Sequence, residues 1–252
     1  MTSSPQRPRV ICHMMTSVDG RIVVRGWPLS AEGRKQYDLI HASYDADAWI
    51  CGRVTMEPFA KRVRSEAEIA REPVRNDGAV PRDDFRAPGD HDSFAFAIDA
   101  HGRLAWESND IDGDHVVAIL SERVSDEYLA FLRERGVSYV FAGSRDIDLA
   151  VALEKIGADF GVQTLMLEGG GRINGGMLRA GLIDEVSLLI APVTDGRVGT
   201  PALFDDDHVP SHRLALESVD RRADDVLWLR YRVEQPASAT QNRGSRKLDS
   251  PA

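Results

Sequence analysis

Short apolar segments alternate with longer segments of helical periodicity along most of this 252-residue chain. The apolar segments are VICHMM (10–15), DAWICG (47–52), SFAFAID (93–99), HVVAILS (115–121), SYVFAG (138–143), VQTLMLE (162–168) and EVSLLIAP (185–192). Such alternation is typical of an α/β sheet of mostly parallel strands with helices on both faces. Residues 212–234 then alternate in the manner of a β-hairpin. The pattern predicts a single α/β domain that ends in an antiparallel hairpin.

Capping residues indicate where the helices begin and end. Ser30 is a candidate N-cap for a helix over 31–44, and Ser125 and Gly136 bound a helix within SDEYLAFLRERG. Further helices are expected to begin at 53 and to cover 146–161 and 172–180. RIVV (21–24) is expected to form a second short strand. The charged, proline-interrupted residues 61–92 are expected to form a surface excursion or a flap.

Composition restricts the class of protein. The net charge of −9 argues against nucleic acid as a partner, and no apolar run reaches the roughly 18 residues of a membrane span. The lack of a signal-peptide pattern and the presence of only two cysteines, Cys12 and Cys51, predict a cytoplasmic protein with buried reduced thiols. These cysteines have no partner motif, so no metal site is predicted. We expect one domain over 10–234, a flexible N-terminus (1–9) and a disordered tail (235–252).

Three predicted strands end in polar turns at what should be one edge of the sheet. The turns are CGRVT after 48–51, LSER after 116–120 and LEGGGR after 164–167. Ligands of such sheets bind beyond the carboxyl ends of the strands, where helix N-termini favour anions. Each turn also has a structural interpretation, as a packing site for the glycines, a helix cap at Thr55 or a solvated loop at Ser121 and Arg123. Because all three turns meet at one edge, we predict an anion-binding site there.

Three motifs resemble a known family. MMTSVDGRI, CGRVTMEPF and LEGGGRINGGMLRAGLIDEVSLLIAPVTDGRVGTPALF are similar to successive signatures of the reductase domain of riboflavin biosynthesis, within the dihydrofolate-reductase-like fold. The resemblance spans 10–234 apart from the excursion, and it does not extend to the deaminase domain or its zinc signature. It implies an NADPH-dependent pyrimidine reductase whose leading substrate is 5-amino-6-(5-phosphoribosylamino)uracil.

By this resemblance, residues at the ends of three strands bind the cofactor. Gly52, Arg53 and Thr55 lie on its adenosine-phosphate side, where a planar guanidinium suits a phosphate. Ser121 and Arg123 follow a strand where the fold commonly holds the 2′-phosphate. The glycine turn would let the pyrophosphate approach backbone amides at the start of a helix. The residues of that turn are Gly169, Gly170, Gly171, Arg172 and Ile173.

The same resemblance places the substrate beside the first strand. Asp19 and Glu168 are the carboxylates expected near the nicotinamide, where a carboxylic acid can supply the proton that accompanies hydride transfer. Asp19 also belongs to an Asp-Gly turn dipeptide, so shaping a turn is its stronger alternative role. Glu168 could instead orient the glycine turn. The expected substrate-binding residues are Thr16, Ser17, Tyr37 and His41, of which the last two could also be core aromatics.

One departure from the family pattern leaves the substrate open. Family members carry an acidic-proline-arginine segment that helps to hold the ribose phosphate, whereas residues 57–78 contain arginines without that motif. A pteridine or another small imine is the alternative substrate, and nucleotide binding without turnover is the alternative function. A folate-type reductase would need a carboxylate on the first helix, where Glu32 and Asp38 are available.

Two late segments predict self-association. EVSLLIAP (185–192) and VLWLRYRV (226–233) are apolar enough to need cover, and members of the family pair through strands in this part of the sheet. Trp228 and Tyr231 alternate with Arg230 and Arg232, which predicts one buried and one solvated face. We expect a homodimer, and the alternative is that the same pattern serves a monomeric core.

Overall fold

The strands and helices follow the alternation of the sequence. The computed structural model describes residues 7–74, 80–206 and 211–234. Its strands are β1 (Arg9–Thr16), β2 (Ala48–Gly52), β3 (Arg62–Val63), β4 (Phe94–Ile98), β5 (Leu104–Ala105), β6 (Asp110–Ile111), β7 (Asp114–Leu120), β8 (Ser138–Phe141), β9 (Thr164–Leu167), β10 (Glu185–Ile190), β11 (Leu214–Arg221) and β12 (Leu227–Val233). Its α-helices are α1 (Ala31–Ser43), α2 (Arg53–Met56), α3 (Glu66–Ile69), α4 (Asp126–Glu134), α5 (Leu149–Phe160) and α6 (Gly171–Arg179).

The main sheet is mostly parallel. Its order is β11-β12-β10-β1-β9-β2-β4-β7-β6, and β8 also pairs with β7. The strands from β10 through β7 run parallel to their neighbours, as does β8. The hairpin β11–β12 pairs antiparallel, and β12 joins it to β10. The predicted fold class, a single α/β domain with a C-terminal β-hairpin, is therefore confirmed.

Helices cover both faces of the sheet because successive strand residues point to opposite sides. On β4, Phe96 packs in the core that also contains Ile156 of α5, whereas its neighbour Ala97 packs in the core of Leu129 from α4. A third cluster, around Ile40 of α1, covers the same sheet near Leu189. The helices on both faces leave the carboxyl ends of the strands as the natural place for a ligand.

The predicted caps form as expected. The Ser30 hydroxyl accepts a hydrogen bond from the Gly33 amide at 3.1 Å. The Ser125 hydroxyl does the same for the Tyr128 amide, also at 3.1 Å. After α4, Gly136 has a φ of +66°, which suits glycine at the end of a helix.

Two predictions near the N-terminus are wrong. RIVV does not form a strand, because only Arg21 makes an isolated bridge, to Ala202. The flexible segment does not extend to residue 9, since the Arg7 guanidinium donates two hydrogen bonds to Asp184 at 2.7 and 2.8 Å and Arg9 opens β1. Residues 1–6 and the predicted disordered tail (235–252) lie outside the described residues.

The charged segment 61–92 is an excursion that packs against α4. Its Arg64 side chain is buried, donates to the Gly102 carbonyl at 2.7 Å and lies over the Tyr128 ring. Arg82 donates to Asp126 at the start of α4. Residues 75–79 of this segment lie outside the described residues. Arg64 and Arg82 thus hold the described parts of the excursion on the domain.

The hairpin corrects the predicted faces of the last strands. β10 and β12 both have neighbours on each side, so the edge strand at this end of the sheet is β11. Trp228 and Arg230 are two residues apart and therefore share a face instead of alternating across it. The Trp228 indole donates to Ser187 at 2.9 Å, and Arg230 pairs with buried Glu185 at 2.8 Å. The arginine lies against this buried carboxylate instead of facing solvent alone.

Cys12 and Cys51 are buried free thiols, as predicted. Over 7–74, 80–206 and 211–234, no helix combines the length and the apolar character that crossing a membrane requires. Within the same ranges, no three His, Cys, Asp or Glu side chains come together in a way that could hold a metal ion.

Candidate active site

A cavity of about 630 Å³ opens at the carboxyl edge of the sheet, and we call it the first cavity. The ends of β2 and β4, the turn after β9 and the start of α6 surround it. It is lined by Ile22, Val23, Gly52, Arg53, Val54, Thr55, Ile98, Asp99, Ala100, His101, Arg103, Gly170, Gly171, Arg172, Ile173, Pro201 and Asp205. Of the predicted cofactor-binding residues, the structure brings together Gly52, Arg53, Thr55, Gly170, Gly171, Arg172 and Ile173.

The three consecutive glycines have three different structural reasons. Gly169 has a φ of +97°, a conformation that side chains disfavour, and its carbonyl accepts the Gly52 amide at 2.8 Å. A Cβ on Gly171 would lie 2.3 Å from the Ala202 carbonyl oxygen, so its reason is packing. A Cβ on Gly170 would meet only the Thr55 hydroxyl, at 3.6 Å, beside the cavity. Of the three glycines, Gly170 is therefore the one at the cavity whose missing side chain is explained neither by a positive φ nor by packing.

Arg53 opens α2 and lines the first cavity. A cation at a helix N-terminus is electrostatically disfavoured, so the helix dipole does not explain the arginine at this position. Its guanidinium pairs with Glu57 one turn later and remains partly exposed. The side chain is thus available at the cavity wall, where an anion would be attracted to it.

Sequence reasoning missed the turn after β4, which forms one wall of the first cavity. Asp99, His101 and Arg103 of that turn all line it. Asp99 is buried, accepts the Leu104 amide at 2.7 Å through Oδ2, and has no described hydrogen-bond partner for Oδ1. Burial raises the pKa of Asp99, and nearby Arg53 opposes this. The segment SFAFAID ends at the same edge of the sheet, so this polar turn could have been identified from the sequence.

Ser121 and Arg123 lie outside the lining of the first cavity, which corrects their predicted placement. They follow β7, which is one strand further from β2 than β4 is. The Ser121 hydroxyl donates to the Ala100 carbonyl at 2.6 Å and accepts the Arg123 amide at 3.3 Å. The Arg123 side chain is exposed. Ser121 therefore acts indirectly, because its hydrogen bond to Ala100 holds the turn that contains Asp99 and lines the cavity.

A second cavity of about 330 Å³ adjoins the first, and Ile22 lines both. It is lined by Met14, Met15, Ile22, Val24, Leu29, Arg34, Tyr37, Asp38 and Glu168. Its walls are largely apolar, with charged groups from α1 and the end of β9. Of the predicted substrate and catalytic residues, it contains Tyr37 and Glu168, whereas Thr16, Ser17 and His41 are not in its lining.

Glu168 and His41 form a direct pair beside the second cavity. The His41 Nδ1 atom lies 2.7 Å from Glu168 Oε1. The Glu168 carboxylate raises the pKa of His41 above its ordinary value of 6.5, mainly through this hydrogen bond. Tyr37 donates its hydroxyl to the His13 carbonyl at 3.1 Å, and burial raises the pKa of Tyr37 well above 10. Of the polar groups around Glu168, His41 is the one suited to exchange a proton near neutral pH.

Asp19 lines neither cavity. Its carboxylate accepts the backbone amides of Asp195 at 2.8 Å and Gly196 at 3.0 Å, and these bonds lower the pKa of Asp19 to about 2. Ser17 is buried and accepts the Arg21 amide at 3.0 Å. Thr16, also buried, is the last residue of β1. Residues 16–21 therefore form a turn held by hydrogen bonds to the backbone, and Asp19 does not reach the cavity that Glu168 lines.

The sequence is similar to those of known proteins. Residues 8–228 match the family described as the RibD C-terminal domain. The chain is 29% identical over 227 residues to the 2,5-diamino-6-ribosylamino-4(3H)-pyrimidinone 5′-phosphate reductase of Methanothermobacter thermautotrophicus, covering 88% of this chain and 96% of that protein. The protein of the same name from Archaeoglobus fulgidus is 23% identical over 201 residues, with 79% and 87% covered.

Solved structures share the fold. A pyrimidine reductase-like protein of Corynebacterium diphtheriae superposes with a TM-score of 0.65 at 21% identity, covering 91% of this chain and 93% of that one. The riboflavin biosynthesis reductase of Saccharomyces cerevisiae gives a TM-score of 0.55 at 14% identity, with 93% of both chains covered.

Proposed function

The chain belongs to the RibD C-terminal domain family, and on that premise we propose that it is a riboflavin-biosynthesis reductase that uses NADPH to reduce a ribosylaminopyrimidine phosphate. The observation that carries the proposal is the meeting of two cavities at Ile22, on the edge of the sheet where ligands of this fold class bind. The larger one suits a dinucleotide, and the smaller one suits a heterocyclic ring beside a carboxylate.

The first cavity has the chemistry that a nicotinamide dinucleotide needs. Gly170 exposes backbone at the start of the nine-residue helix α6, where a pyrophosphate would meet amide groups and the positive end of the helix dipole. Ile22, Ile98 and Ile173 give it apolar walls for rings. When bound, the reduced nicotinamide supplies a hydride.

We propose that the cofactor is NADPH and not NADH because two arginine side chains line the first cavity. Arg53 and Arg103 both line it, and a guanidinium binds a phosphate monoester more strongly than it binds a ribose hydroxyl. Fluorescence titration with each cofactor tests this preference. Equal affinities for NADPH and NADH would contradict it and leave the reductase assignment intact.

The proposed substrate is 2,5-diamino-6-ribosylamino-4(3H)-pyrimidinone 5′-phosphate, for which both archaeal relatives are named. It differs in its base from the uracil compound suggested by the sequence. Reduction of its ring-opened ribosylamino carbon needs a hydride at carbon and a proton at nitrogen. Glu168, at the wall of the second cavity, is the proposed source of that proton.

The deciding experiment is NADPH oxidation with a panel of acceptors. The panel contains the diaminopyrimidinone phosphate, its uracil counterpart, dihydrofolate and no acceptor. We expect turnover with a ribosylaminopyrimidine phosphate only. Turnover with dihydrofolate alone would indicate the pteridine alternative, and cofactor binding without turnover would indicate a nucleotide-binding protein.

We also propose that the protein is a homodimer paired through β11. This strand is an edge of the sheet and exposes Leu216 and Val219, at 55% and 53% of their surface. Sedimentation should give about twice the chain mass of 27.8 kDa. The variant Val219→Glu should sediment as a monomer, because a charge at a paired apolar edge opposes association. A wild-type mass of one chain would refute the proposal.

A further inference from the structure

The His41–Glu168 pair connects the second cavity with solvent. Glu168 lines the cavity and has 14% of its side chain exposed, whereas His41 is not in the lining and has 34% exposed. The two side chains come from distant parts of the chain, the end of β9 and the second half of α1, and meet at 2.7 Å. A proton placed on the imidazole thus needs only one hydrogen bond to reach the carboxylate that faces the cavity.

The groups around His41 favour its protonated form. Glu168 faces it from the end of β9, Asp38 from its own helix and Asp114 from the start of β7. A positive charge on His13, whose ring on β1 lies 6.3 Å from the His41 ring, would disfavour protonation of His41. His13 is fully buried, and that burial lowers its pKa, so it adds little positive charge at neutral pH. Three carboxylates around one imidazole make His41 the proton-holding group of this cluster.

We propose that His41 is a positioning and relay residue that holds Glu168 toward the second cavity and returns to it, from solvent, the proton consumed in each reduction. The inference rests on the proposed reductase function. Before each turnover, His41 is protonated and Glu168 is ionised. As the hydride adds to C1′ of the ring-opened imine, Glu168 takes the Nδ1 proton of His41 and passes it to the imine nitrogen, and neutral His41 then takes up a proton from solvent. One hydride and one proton are consumed, and both side chains regain their starting state.

Neighbouring groups are poorly suited to this relay. His13 is buried, and its ring nitrogens lie 3.0 Å from the Ser187 hydroxyl and 3.2 Å from the Tyr37 carbonyl. The Tyr37 hydroxyl is tied to the His13 carbonyl, and burial keeps the pKa of Tyr37 far above neutrality. Cys51 donates its thiol to the Glu168 carbonyl at 3.3 Å and is also fully buried. His41 is partly exposed, its Nδ1 lies 2.7 Å from the Glu168 carboxylate, and an imidazole can exchange a proton near neutral pH where the tyrosine cannot.

The first test is the pH profile of kcat for His41→Gln. Glutamine can still donate a hydrogen bond but does not titrate. In the wild type, kcat should fall as pH rises through the raised pKa of His41. In the variant, that limb should vanish and kcat should fall by roughly 10²-fold, the lower end for a lost acid–base group, with KM little changed. The matched control is His212→Gln, beside β11, which should change neither quantity. An unaltered profile in His41→Gln overturns the proposal.

Two further measurements distinguish a proton-relay role of His41 from a purely structural role. Added imidazole should restore much of kcat to His41→Ala, whereas a folded variant that is not rescued would show a purely structural role and overturn the relay. In the protein without cofactor, the NMR titration of the His41 ring should move to lower pKa in Glu168→Gln. No movement would overturn the pairing itself. Absence of turnover in the wild type, with the NMR shift present, would instead count against the proposed function.

Discussion

The two cavities of this protein are built in different ways. The first is formed mainly by residues at strand ends, such as Gly52 after β2 and Gly170 after β9, and much of its wall is backbone. The second is formed by side chains from β1, α1 and β9, with Tyr37 and Glu168 brought together across more than 100 residues. Short sequence motifs at the strand ends define a cavity of the first kind. A cavity of the second kind depends on how the helices pack against the sheet.

Glu168→Gln should have the largest effect on kcat, and it tests whether the second cavity serves the chemistry while the first serves cofactor binding. Glutamine keeps the shape of the side chain but holds no acidic proton, so kcat should fall by roughly 10²–10⁴-fold. The affinity for NADPH should stay close to the wild type, because Glu168 lines the second cavity only. Steady-state kinetics and cofactor titration give the two quantities. A variant with normal kcat would remove Glu168 from the chemistry.

Arg53→Ala should weaken NADPH binding by about 1–3 kcal/mol, the range for a lost charged hydrogen bond, and change NADH binding less. The reason is that Arg53 lines the first cavity beside the turn after β4. Calorimetry with both cofactors measures the difference.

Arg123→Ala is the matched control for Arg53→Ala, because Arg123 is exposed and lies outside the cavity lining. It should leave both affinities unchanged. If Arg123→Ala weakened NADPH binding as much as Arg53→Ala, the phosphate site would extend to β7, as the sequence had suggested.

Gly170→Ala and Gly171→Ala should affect different properties. The methyl group on Gly171 would lie 2.3 Å from the Ala202 carbonyl oxygen, so unfolding free energy should fall by about 1–3 kcal/mol, as in other overpacked sites. The methyl group on Gly170 meets only the Thr55 hydroxyl at 3.6 Å, so that variant should keep its stability and bind NADPH more weakly. Denaturant unfolding and cofactor titration distinguish them. Equal loss of stability would mean that both glycines serve packing.

The sequence predicts the first cavity better than the second because its signals are local. The turns at Arg53 and at Gly170 could be predicted directly from the sequence. The apolar segments show where the strands end, and glycine indicates where a ligand can approach the backbone closely. The sequence assigns Ser121 and Arg123 after β7 to the cofactor site, whereas the turn after β4 lines the first cavity, because strand order in the sheet is set by long-range pairing. The pairing of His41 with Glu168 depends on the position of α1 over the sheet, and no spacing in the sequence encodes it.

The two predicted carboxylates offer the sharpest contrast, and Asp19→Asn should have the smallest effect of these changes. Asp19 binds two backbone amides outside both cavities, so kcat and NADPH affinity should stay near the wild type. A fall in kcat of roughly 10²-fold or more with intact cofactor binding, the signature of a lost acid or base, would restore a catalytic role.

Stability should report what Asp19 does instead. Its pKa is lowered from 3.8 to about 2 by the two amides, so its stabilising effect is present above pH 3.8 and is lost as pH falls toward 2. Asparagine accepts through one oxygen and carries no charge, so Asp19→Asn should unfold at a slightly lower temperature than the wild type at pH 7. The difference should shrink as pH falls from 3.8 toward 2, because the carboxylate is protonated first in the unfolded chain and then in the folded protein. A difference that persisted unchanged at low pH would mean that shape, and not charge, holds this turn to the 195–196 backbone.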